Sequence, residues 1–378
     1  MANFQVTGSS KFPEVIIVGA GIVGSSLAYF LQQQNVQCVL FDRDGVASHA
    51  SGWAAGELSP LSRVLVPESF TKFCLEGLRL HWEYYPRLVE ETKIDYHLES
   101  IPVYRPAFTE GEFLDAQSQL DFYKNLGIKS EWFSATELTQ KHSWVSQNAL
   151  GSVYTESEAQ LDPKLLTMAL AKGAQMNGAR IVTSEVLGIT TNGSAVTGVQ
   201  TSDGEAFGGT TVITMGPWCS SMKSWIGLDI PVIPLKGQIV HFDLPDTLPD
   251  HAIFHHSGYV LPKSNGLVFA GTTEEQAGFD SNPTEEGIQY IKEVAMGLAP
   301  GLQSAKVANV TACLRPLCVD ELPIIGPIPG WDSLFLGTGH GRKGILLGIA
   351  TGKYLAQQVL GSIPDYPMDE FTPARFLS

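Results

Sequence analysis

Three glycines near the start of the chain have a spacing that could hold a phosphate group. Gly19, Gly21 and Gly24 form the pattern G-x-G-x-x-G directly after the apolar run 15–18. The first glycine permits a tight turn out of a strand, the second lets a pyrophosphate approach the backbone, and the third lets the next helix lie close to the sheet. The N–H groups and the positive dipole end of that helix would then bind the phosphates.

An acidic residue follows this motif at a suitable distance. Asp42 ends a second apolar run, 38–42, about 20 residues beyond the first glycine, where a carboxylate would bind both hydroxyls of an adenosine ribose. A glycine-rich turn that binds nothing is the alternative. Strand, helix and acid together favour a dinucleotide, whose identity the motif leaves open.

A second glycine-rich turn, GTGHGRKG, occupies residues 337–344. It follows a short apolar run and precedes a segment with apolar residues at helical spacing. It lacks the full dinucleotide spacing. A helix N-terminus directed at the ligand here would stabilise an anion that forms on the ligand during a reaction.

Two further stretches indicate backbone that passes close to a flat ligand. The loop after Asp42 is rich in small residues and contains SGWAAGELSP, although a solvated linker is the alternative. Glu57 in this loop fits a surface carboxylate as well as a place near the ligand. Gly216 marks a second close approach, while Trp218 beside it fits the core equally well.

Two kinds of sheet are needed to position these residues. Alternating strands and helices predict a parallel α/β sheet, and the longer alternating strands of 231–310 predict an antiparallel sheet. A chain of 378 residues is long enough for two domains. We expect a discontinuous Rossmann-like domain over 13–92, 151–225 and 311–364, and a substrate domain over 93–150 and 226–310. A capping box is expected at SATE, residues 134–137, and a helix cap at Asp162.

Composition excludes several classes of partner. The formal net charge of −15 disfavours nucleic acid and anionic membrane surfaces. The five cysteines are widely spread and contain no C-x-x-C, so neither a disulfide framework nor a metal site is expected. We expect a cytoplasmic protein with a flexible leader at residues 1–12, and with His255 and His256 on an exposed loop edge.

Taken in order, several motifs resemble one known family. VIIVGAGIVGSSLAYFL, SGWAAGELSP, PLKGQ, GYVLPKSNGLVFAGT, LRPLCVDELPIIGP and GHGRKGILLGIATG cover the chain nearly end to end. They are similar to the FAD-dependent amine and amino-acid oxidoreductases, which include D-amino-acid, sarcosine and glycine oxidases, and most of all to glycine oxidase. The resemblance implies FAD in an extended pose, with its pyrophosphate on the first helix and its flavin ring beneath the antiparallel sheet.

The resemblance also assigns residues to roles. Arg315 matches the arginine that clamps the substrate carboxylate, Arg342 and Tyr259 match positions that line the site, and Glu57 stands where glycine oxidase has an apolar residue. A substrate with a second cationic group or a secondary amine is therefore worth considering. The residues expected at FAD are Gly19, Gly21, Ile22, Val23, Gly24, Asp42, Arg43, Ser51, Ala54, Ala55, Gly56, Val186, Gly216, Trp218, Gly339, Gly341, Arg342, Lys343, Gly344 and Ile345.

The implied reaction is oxidation of a small amino acid of the glycine, sarcosine or D-amino-acid type. Hydride passes to flavin N5, and the resulting imine is hydrolysed to an oxo-acid or aldehyde. Oxygen is one electron acceptor. A dehydrogenase with another acceptor and a flavin-carrying subunit of a larger enzyme are alternatives, and an oligomer is compatible with each.

Cys313 matches the position where sarcosine oxidase tethers its flavin, but we expect non-covalent FAD. Phe269 matches the lysine with which sarcosine oxidase activates oxygen, which questions oxidase chemistry of that type.

Overall fold

The computed structural model describes residues 14–61, 67–142, 144–245 and 249–376. The leader expected at residues 1–12 lies outside these ranges. The described strands form two large sheets and one small sheet. In chain order they are β1 (Val15–Val18), β2 (Cys38–Asp42), β3 (Glu57–Leu58), β4 (Glu99–Ala107), β5 (Ser130–Ser134), β6 (Gly151–Gln160), β7 (Arg180–Thr183), β8 (Val186–Asn192), β9 (Ala195–Thr201), β10 (Gly204–Phe207), β11 (Thr210–Ile213), β12 (Val232–Asp243), β13 (Ala252–His255), β14 (Gly258–Pro262), β15 (Leu267–Gly271), β16 (Lys306–Cys318), β17 (Ile324–Pro327) and β18 (Leu334–Thr338).

The first large sheet has six strands in the order β17-β18-β11-β1-β2-β7. All of its pairs are parallel except β17 with β18. The central strand β1 is buried along its whole length, because helices cover a parallel sheet on its faces and leave no solvated side. The Rossmann-like sheet expected from the sequence is confirmed.

Four helices support this sheet. Helix α1 packs against both α6 and α9, and α3 packs against α6 and α9 as well. Their apolar faces share one core cluster with β1 and β2. The described helices are α1 (Ile22–Gln33), α2 (Ala50–Trp53), α3 (Glu68–Thr92), α4 (Glu110–Asn125), α5 (Ala135–Lys141), α6 (Pro163–Met176), α7 (Met222–Ile226), α8 (Glu285–Leu298) and α9 (Gly344–Val359), and short 3-10 turns occupy Gly216–Ser221, Pro300–Ser304, Gly341–Lys343, Asp369–Phe371 and Pro373–Phe376.

The second large sheet has nine strands and is almost entirely antiparallel. Its order is β16-β12-β15-β14-β13-β4-β6-β3, and β5 pairs with β6 as a side branch. Within the described part of this sheet, only the pair of β13 with β4 is parallel. Helix α8 packs on β12, β14 and β15 and closes a second core. The predicted antiparallel sheet is confirmed. The strands β8, β9 and β10 form a separate small meander with Asn-Gly and Asp-Gly turns.

The helix starts follow the capping rules. Ser134 and Glu137 form the predicted capping box, and the Asp162 side chain accepts a hydrogen bond from the Leu165 N–H as predicted. A further capping box joins Thr109 to Glu112 at the start of α4. Helix α4 therefore begins before the glutamate, which fixes this carboxylate at the N-terminus of the helix.

Sheet membership suggests different domain boundaries from those expected. Strand β6 at Gly151–Gln160 and strand β16 at Lys306–Cys318 both belong to the nine-stranded sheet. The expected boundaries at 150/151 and 310/311 would separate β6 from that sheet and cut through β16. We propose that both strands belong to the substrate-binding part, so that β16 links the two sheets.

None of the described helices is long and apolar enough to cross a membrane.

Candidate active site

A cavity of about 1460 Å³ lies where the two large sheets meet. One wall consists of the carboxyl ends of β1, β2, β11 and β18 together with the N-termini of α1 and α9. The other wall comes from β4, β12, β13, β14 and β16. Ligand pockets usually measure roughly 300–1,000 Å³, so this cavity has room for an extended dinucleotide and a small substrate.

The first helix presents its N-terminus to the cavity as the glycine motif predicts. Gly19 has a φ of +106°, and a Cβ at Gly24 would lie 1.9 Å from the Gly19 carbonyl oxygen. Helix α1 therefore lies as close to β1 as the third glycine permits. Its N-cap, Gly21, provides no side-chain cap, and the Ser51 Oγ accepts only from the Ile22 N–H. The remaining N–H groups of the first turn can hold a phosphate.

Asp42 lies at the cavity wall beside this helix. One of its carboxylate oxygens accepts from the Ala20 N–H at 2.8 Å, and the other accepts from the N–H groups of Asp44 and Gly45 at 2.9 and 3.0 Å. The backbone thus fixes the orientation of the carboxylate. Because a carboxylate has about four lone-pair positions, it still has acceptor capacity for a ribose hydroxyl.

Most residues expected at the cofactor line this one cavity. Trp218 stands at the cavity wall, where its ring lies 4.6 Å from the Arg43 Cζ and 4.6 Å from the His49 ring. Among the described residues that were predicted, Gly24, Gly56 and Gly339 do not reach the cavity surface. Those that line it are Gly19, Gly21, Ile22, Val23, Asp42, Arg43, Ser51, Ala54, Ala55, Val186, Gly216, Trp218, Gly341, Arg342, Lys343, Gly344 and Ile345.

The C-terminal glycine turn brings a second helix N-terminus to the cavity. Helix α9 begins with no side-chain cap and no acidic residue in its first turn. Lys343 at its N-cap position donates to the Ser59 carbonyl oxygen at 2.5 Å, and burial lowers its pKa. His340 before it is buried, lies 2.9 Å from the Thr351 Oγ1, and has a pKa lowered to about 4 by burial. His340 is therefore a buried imidazole that is neutral at physiological pH.

Arg315 enters the cavity from β16. Opposite it, Gly237 on β12 leaves the space that the guanidinium uses, because a Cβ there would lie 2.1 Å from the Arg315 Nη2. This nitrogen donates to the Thr273 carbonyl oxygen at 2.6 Å. The Nε atom is buried and makes no hydrogen bond within the described part of the chain. Arg315 is therefore held in place from behind while a buried donor lacks an acceptor.

Tyr259 on β14 lies in the same part of the cavity. A Cβ at Gly271 would lie 2.7 Å from its hydroxyl oxygen, so the ring packs directly on the neighbouring strand. Burial raises its pKa well above the usual value, and the negative charge of Glu57 adds to this rise. Tyr259 therefore stays a neutral phenol and can donate a hydrogen bond.

Glu57 lines the cavity from the short strand β3, which pairs with β6. Burial raises its pKa, while the positive charges of Lys343, Lys263 and Arg315 oppose that rise. Lys263 donates to the Ala55 and Leu161 carbonyl oxygens, both at 2.9 Å, and burial lowers its pKa to about 8. Glu57 is thus a cavity residue that faces several cations and not an isolated surface carboxylate.

Arg342 already has a protein partner. Its guanidinium donates two hydrogen bonds to the Glu274 carboxylate, both at 2.5 Å. A fork of this kind leaves less of the guanidinium for a substrate. The expected contact of Arg342 with the substrate stays a prediction, but the geometry favours Arg315 for the carboxylate.

Two residues of this region are absent from the sequence predictions. Lys263 precedes an Asn-Gly turn, which is a pattern typical of a surface lysine, yet it is buried below the Glu57 loop. Arg105 on β4 lines the cavity and lies 2.7 Å from the buried Glu158. Lys263 lies in the stretch GYVLPKSNGLVFAGT and Arg105 in none of the motifs quoted above, but no local pattern marks either residue as buried. The pairing of distant strands brings them here.

The fold and this cavity together define a class of protein. A parallel Rossmann-like sheet and an antiparallel sheet share one cavity, where the buried Arg315 Nε has no acceptor among the described residues. This arrangement is typical of a dinucleotide-dependent oxidoreductase. The sequence model of the FAD dependent oxidoreductase (DAO) family matches residues 14–358. The chain belongs to this family, and it is an FAD-dependent oxidoreductase.

Individual relatives agree with the family. Glycine oxidase of Bacillus subtilis is 26% identical over 348 residues, which cover 92% of this chain and 93% of that protein. Hydrogen cyanide synthase subunit HcnC of Pseudomonas protegens is 30% identical over 407 residues, covering 97% of each chain. The crystal structure of glycine oxidase from Geobacillus kaustophilus has a TM-score of 0.91 at 27% identity, covering 95% of this chain and 98% of that one. The resemblance to glycine oxidase is confirmed.

Proposed function

We propose that this protein oxidises the C–N bond of a small amino acid or N-alkyl amino acid. The observation that carries the proposal is the buried Arg315 Nε, which has no acceptor within the described residues and lies in the cavity that the α1 N-terminus also lines. A planar, permanently charged guanidinium suits a carboxylate ligand. Similarity to glycine oxidases supports the same substrate class.

The structure fits FAD as the cofactor. The uncapped N-terminus of α1 would hold the pyrophosphate, Asp42 the adenosine ribose, and the N-terminus of α9 the flavin end. FAD, when bound, supplies a two-electron acceptor for hydride from the substrate α-carbon. We propose this placement for the predicted cofactor residues that line the cavity.

The residues of the chain then orient and desolvate the substrate. Arg315 binds the carboxylate from a position fixed by the Thr273 carbonyl oxygen, and Tyr259 donates a second hydrogen bond to it. Glu57 faces the amine, where a carboxylate holds the proton that the substrate ammonium must lose before oxidation. The imine product then leaves the contact with Glu57, and water hydrolyses it to an oxo-acid or aldehyde.

Anaerobic reduction tests the substrate class. The purified yellow protein should bleach with a member of a panel of glycine, sarcosine, D-amino acids and basic amino acids, because hydride from the substrate reduces the flavin. The matching amines without a carboxylate serve as controls and should bleach it far more slowly. Equal rates with amines and amino acids would contradict the role proposed for Arg315.

A second function is favoured by the likeness to a hydrogen cyanide synthase subunit. The protein would then be a flavin-carrying subunit, or a dehydrogenase that passes electrons to an acceptor other than oxygen. Reoxidation of the bleached protein by oxygen and by a dye separates these cases. Fast reoxidation by oxygen supports an oxidase. Reoxidation by the dye alone supports a dehydrogenase, and absence of bleaching in the isolated chain supports a subunit.

A cytoplasmic location remains a prediction.

We propose that the flavin is not attached to Cys313. This thiol is buried on β16 and lines the cavity, and burial raises its pKa, which disfavours the thiolate. Acid precipitation should therefore leave the yellow colour in the supernatant. A yellow pellet that turns colourless in Cys313→Ser would instead show a thioether bond.

A further inference from the structure

Three side chains with metal-binding atoms meet at the rim of the cavity. Glu112, His255 and His256 each offer one ligand atom, and these atoms lie within 4.8 Å of one another. The Glu112 Oε1 lies 3.3 Å from the His255 Nε2 and 2.9 Å from the His256 Nε2. In a tetrahedral zinc site, neighbouring ligand atoms are about 3.3 Å apart. The three atoms are therefore already close to the spacing of such a site.

Local hydrogen bonds fix the glutamate. Its Oε2 accepts from the N–H groups of Phe108 at 2.6 Å and Thr109 at 3.2 Å, as part of the capping box of α4. The Oε1 atom is left to face the two imidazoles. These hydrogen bonds and the nearby histidines lower the pKa of Glu112 to about 2, so the group is an ionised carboxylate.

The inner histidine turns its Nε2 toward the glutamate. The Ser257 backbone N–H donates to the His255 Nδ1 at 3.3 Å, and the Ser257 Oγ lies 2.7 Å from the same nitrogen. A metal ion at Nε2 would need the tautomer with its proton on Nδ1, and the Ser257 hydroxyl stands where it could accept that proton. The Nε2 atom is buried and has no hydrogen-bond partner of ordinary geometry among the described residues. His255 is therefore not on an exposed edge as expected, because its side chain is only 11% exposed.

We propose that Glu112, His255 and His256 form a binding site for a divalent transition-metal ion, with Zn²⁺ as the probe. Two imidazoles and one carboxylate are a common zinc donor set that leaves one position open. All three residues line the cavity that holds Arg315, so the open position faces that space. A stacked pair of histidines that share a carboxylate without a metal is the alternative.

A metal here would join two parts of the chain that are distant in sequence. Glu112 lies in the first turn of helix α4, whereas the histidines stand in the β13–β14 hairpin, 144 residues away for the Glu112–His256 pair. The ion would restrain both elements at the cavity rim. A His-His pair far from its glutamate matches no ligand-spacing motif, so the site could not be predicted from sequence.

Competition with a chromogenic chelator measures the site in the intact FAD-loaded protein. One equivalent of Zn²⁺ should bind to the wild-type protein, and His256→Ala should weaken binding by ~10-fold or more. His97→Ala is the matched control, because this exposed histidine also lies beside a carboxylate, the Asp95 Oδ1 at 3.8 Å, but does not line the cavity. Its binding of Zn²⁺ should equal that of wild type.

Thermal unfolding provides the second measurement. Zn²⁺ should raise the Tm of the wild-type protein and of His97→Ala but not that of His256→Ala, since an ion that binds only the folded state stabilises it. Glu112→Gln, which keeps the side-chain shape, should also lose the effect. Stoichiometric binding that survives in His256→Ala, or no binding to the wild type, would overturn the proposal. Neither measurement uses substrate, so the result is independent of the proposed function.

Discussion

Arg315→Lys is expected to raise the KM for the best amino-acid substrate by ~10- to 100-fold, with a smaller effect on kcat. Lysine keeps the positive charge but cannot form two parallel hydrogen bonds to a carboxylate. One charge-assisted hydrogen bond contributes about 1.5–3 kcal/mol, which corresponds to this range in binding. The contact of Arg315 with the carboxylate is present in both the bound substrate and the transition state. Its loss should therefore change mainly KM.

Steady-state kinetics with the substrate found by anaerobic bleaching measures this effect. Arg315→Ala should raise KM further, but it also removes the hydrogen bonds from the guanidinium to the Thr273 and Lys236 carbonyl oxygens. Flavin content and Tm must therefore be recorded for both variants. Lysine is the more informative replacement, because its charge keeps the local electrostatics near Glu57.

Arg342→Lys is the matched control for this prediction. The Arg342 guanidinium also lines the cavity, but it donates two hydrogen bonds to the Glu274 carboxylate. We expect the KM of Arg342→Lys to rise by less than the KM of Arg315→Lys. Equal increases in the two variants would show that both arginines bind the carboxylate, and an unchanged KM in Arg315→Lys would contradict the assignment to Arg315.

The framework of the fold could be predicted from local sequence. The G-x-G-x-x-G turn, the Asp162 cap and the Asn-Gly turns each depend on a few neighbouring residues, and the structure confirms their strand and helix assignments. The boundaries of the two parts were harder to predict. Strand β6 pairs with β4 and β16 pairs with β12, and such long-range pairings leave no local trace in the chain.

The residues of the candidate site also differ in how far local sequence could predict them. Most residues of the two glycine-rich turns line the cavity, because the motif favours both the turn and a ligand beside it, whereas Gly24 and Gly339 do not reach its surface. Buried charges were not found. Lys263 and Arg105 stand in strands or turns where sequence predicts exposure, and their burial depends on carbonyl oxygens and a carboxylate supplied by distant segments. The cluster at Glu112 was missed for the same physical reason.

Glu57→Gln is expected to lower kcat/KM by ~10- to 100-fold for an amino acid bound as its ammonium form. The reason is the loss of one charge-assisted contact at a buried carboxylate. Glutamine keeps the size and the hydrogen-bonding shape, so the change removes the charge and the proton-accepting group alone. Because the surrounding cations Lys343, Lys263 and Arg315 would lose their counter-charge, binding of a cationic substrate should suffer most.

The pH profile separates a proton-holding Glu57 from a merely structural one. Burial raises its pKa, so in the wild type kcat/KM should fall as the pH drops through that raised value and the carboxylate becomes neutral. The glutamine variant should lack this acid limb. Lys263, with a pKa lowered to about 8, changes its charge on the alkaline side of neutrality, so a limb from this lysine would be centred near pH 8 and not in the acid range.

Glu185→Gln is the control for Glu57→Gln. Glu185 lines the same cavity, next to Val186, which is expected at the cofactor. Loss of the Glu185 carboxylate changes the formal charge of the cavity by the same amount as Glu57→Gln, but it leaves the groups around Glu57 unchanged. The acid limb should persist in Glu185→Gln and vanish in Glu57→Gln. A limb retained in both variants would assign the titration to another group and leave Glu57 with an electrostatic role only.

A substrate that is already neutral at the working pH provides a further test. If Glu57 accepts the ammonium proton, Glu57→Gln and Glu185→Gln should oxidise such a substrate at similar rates, because it has no proton to give.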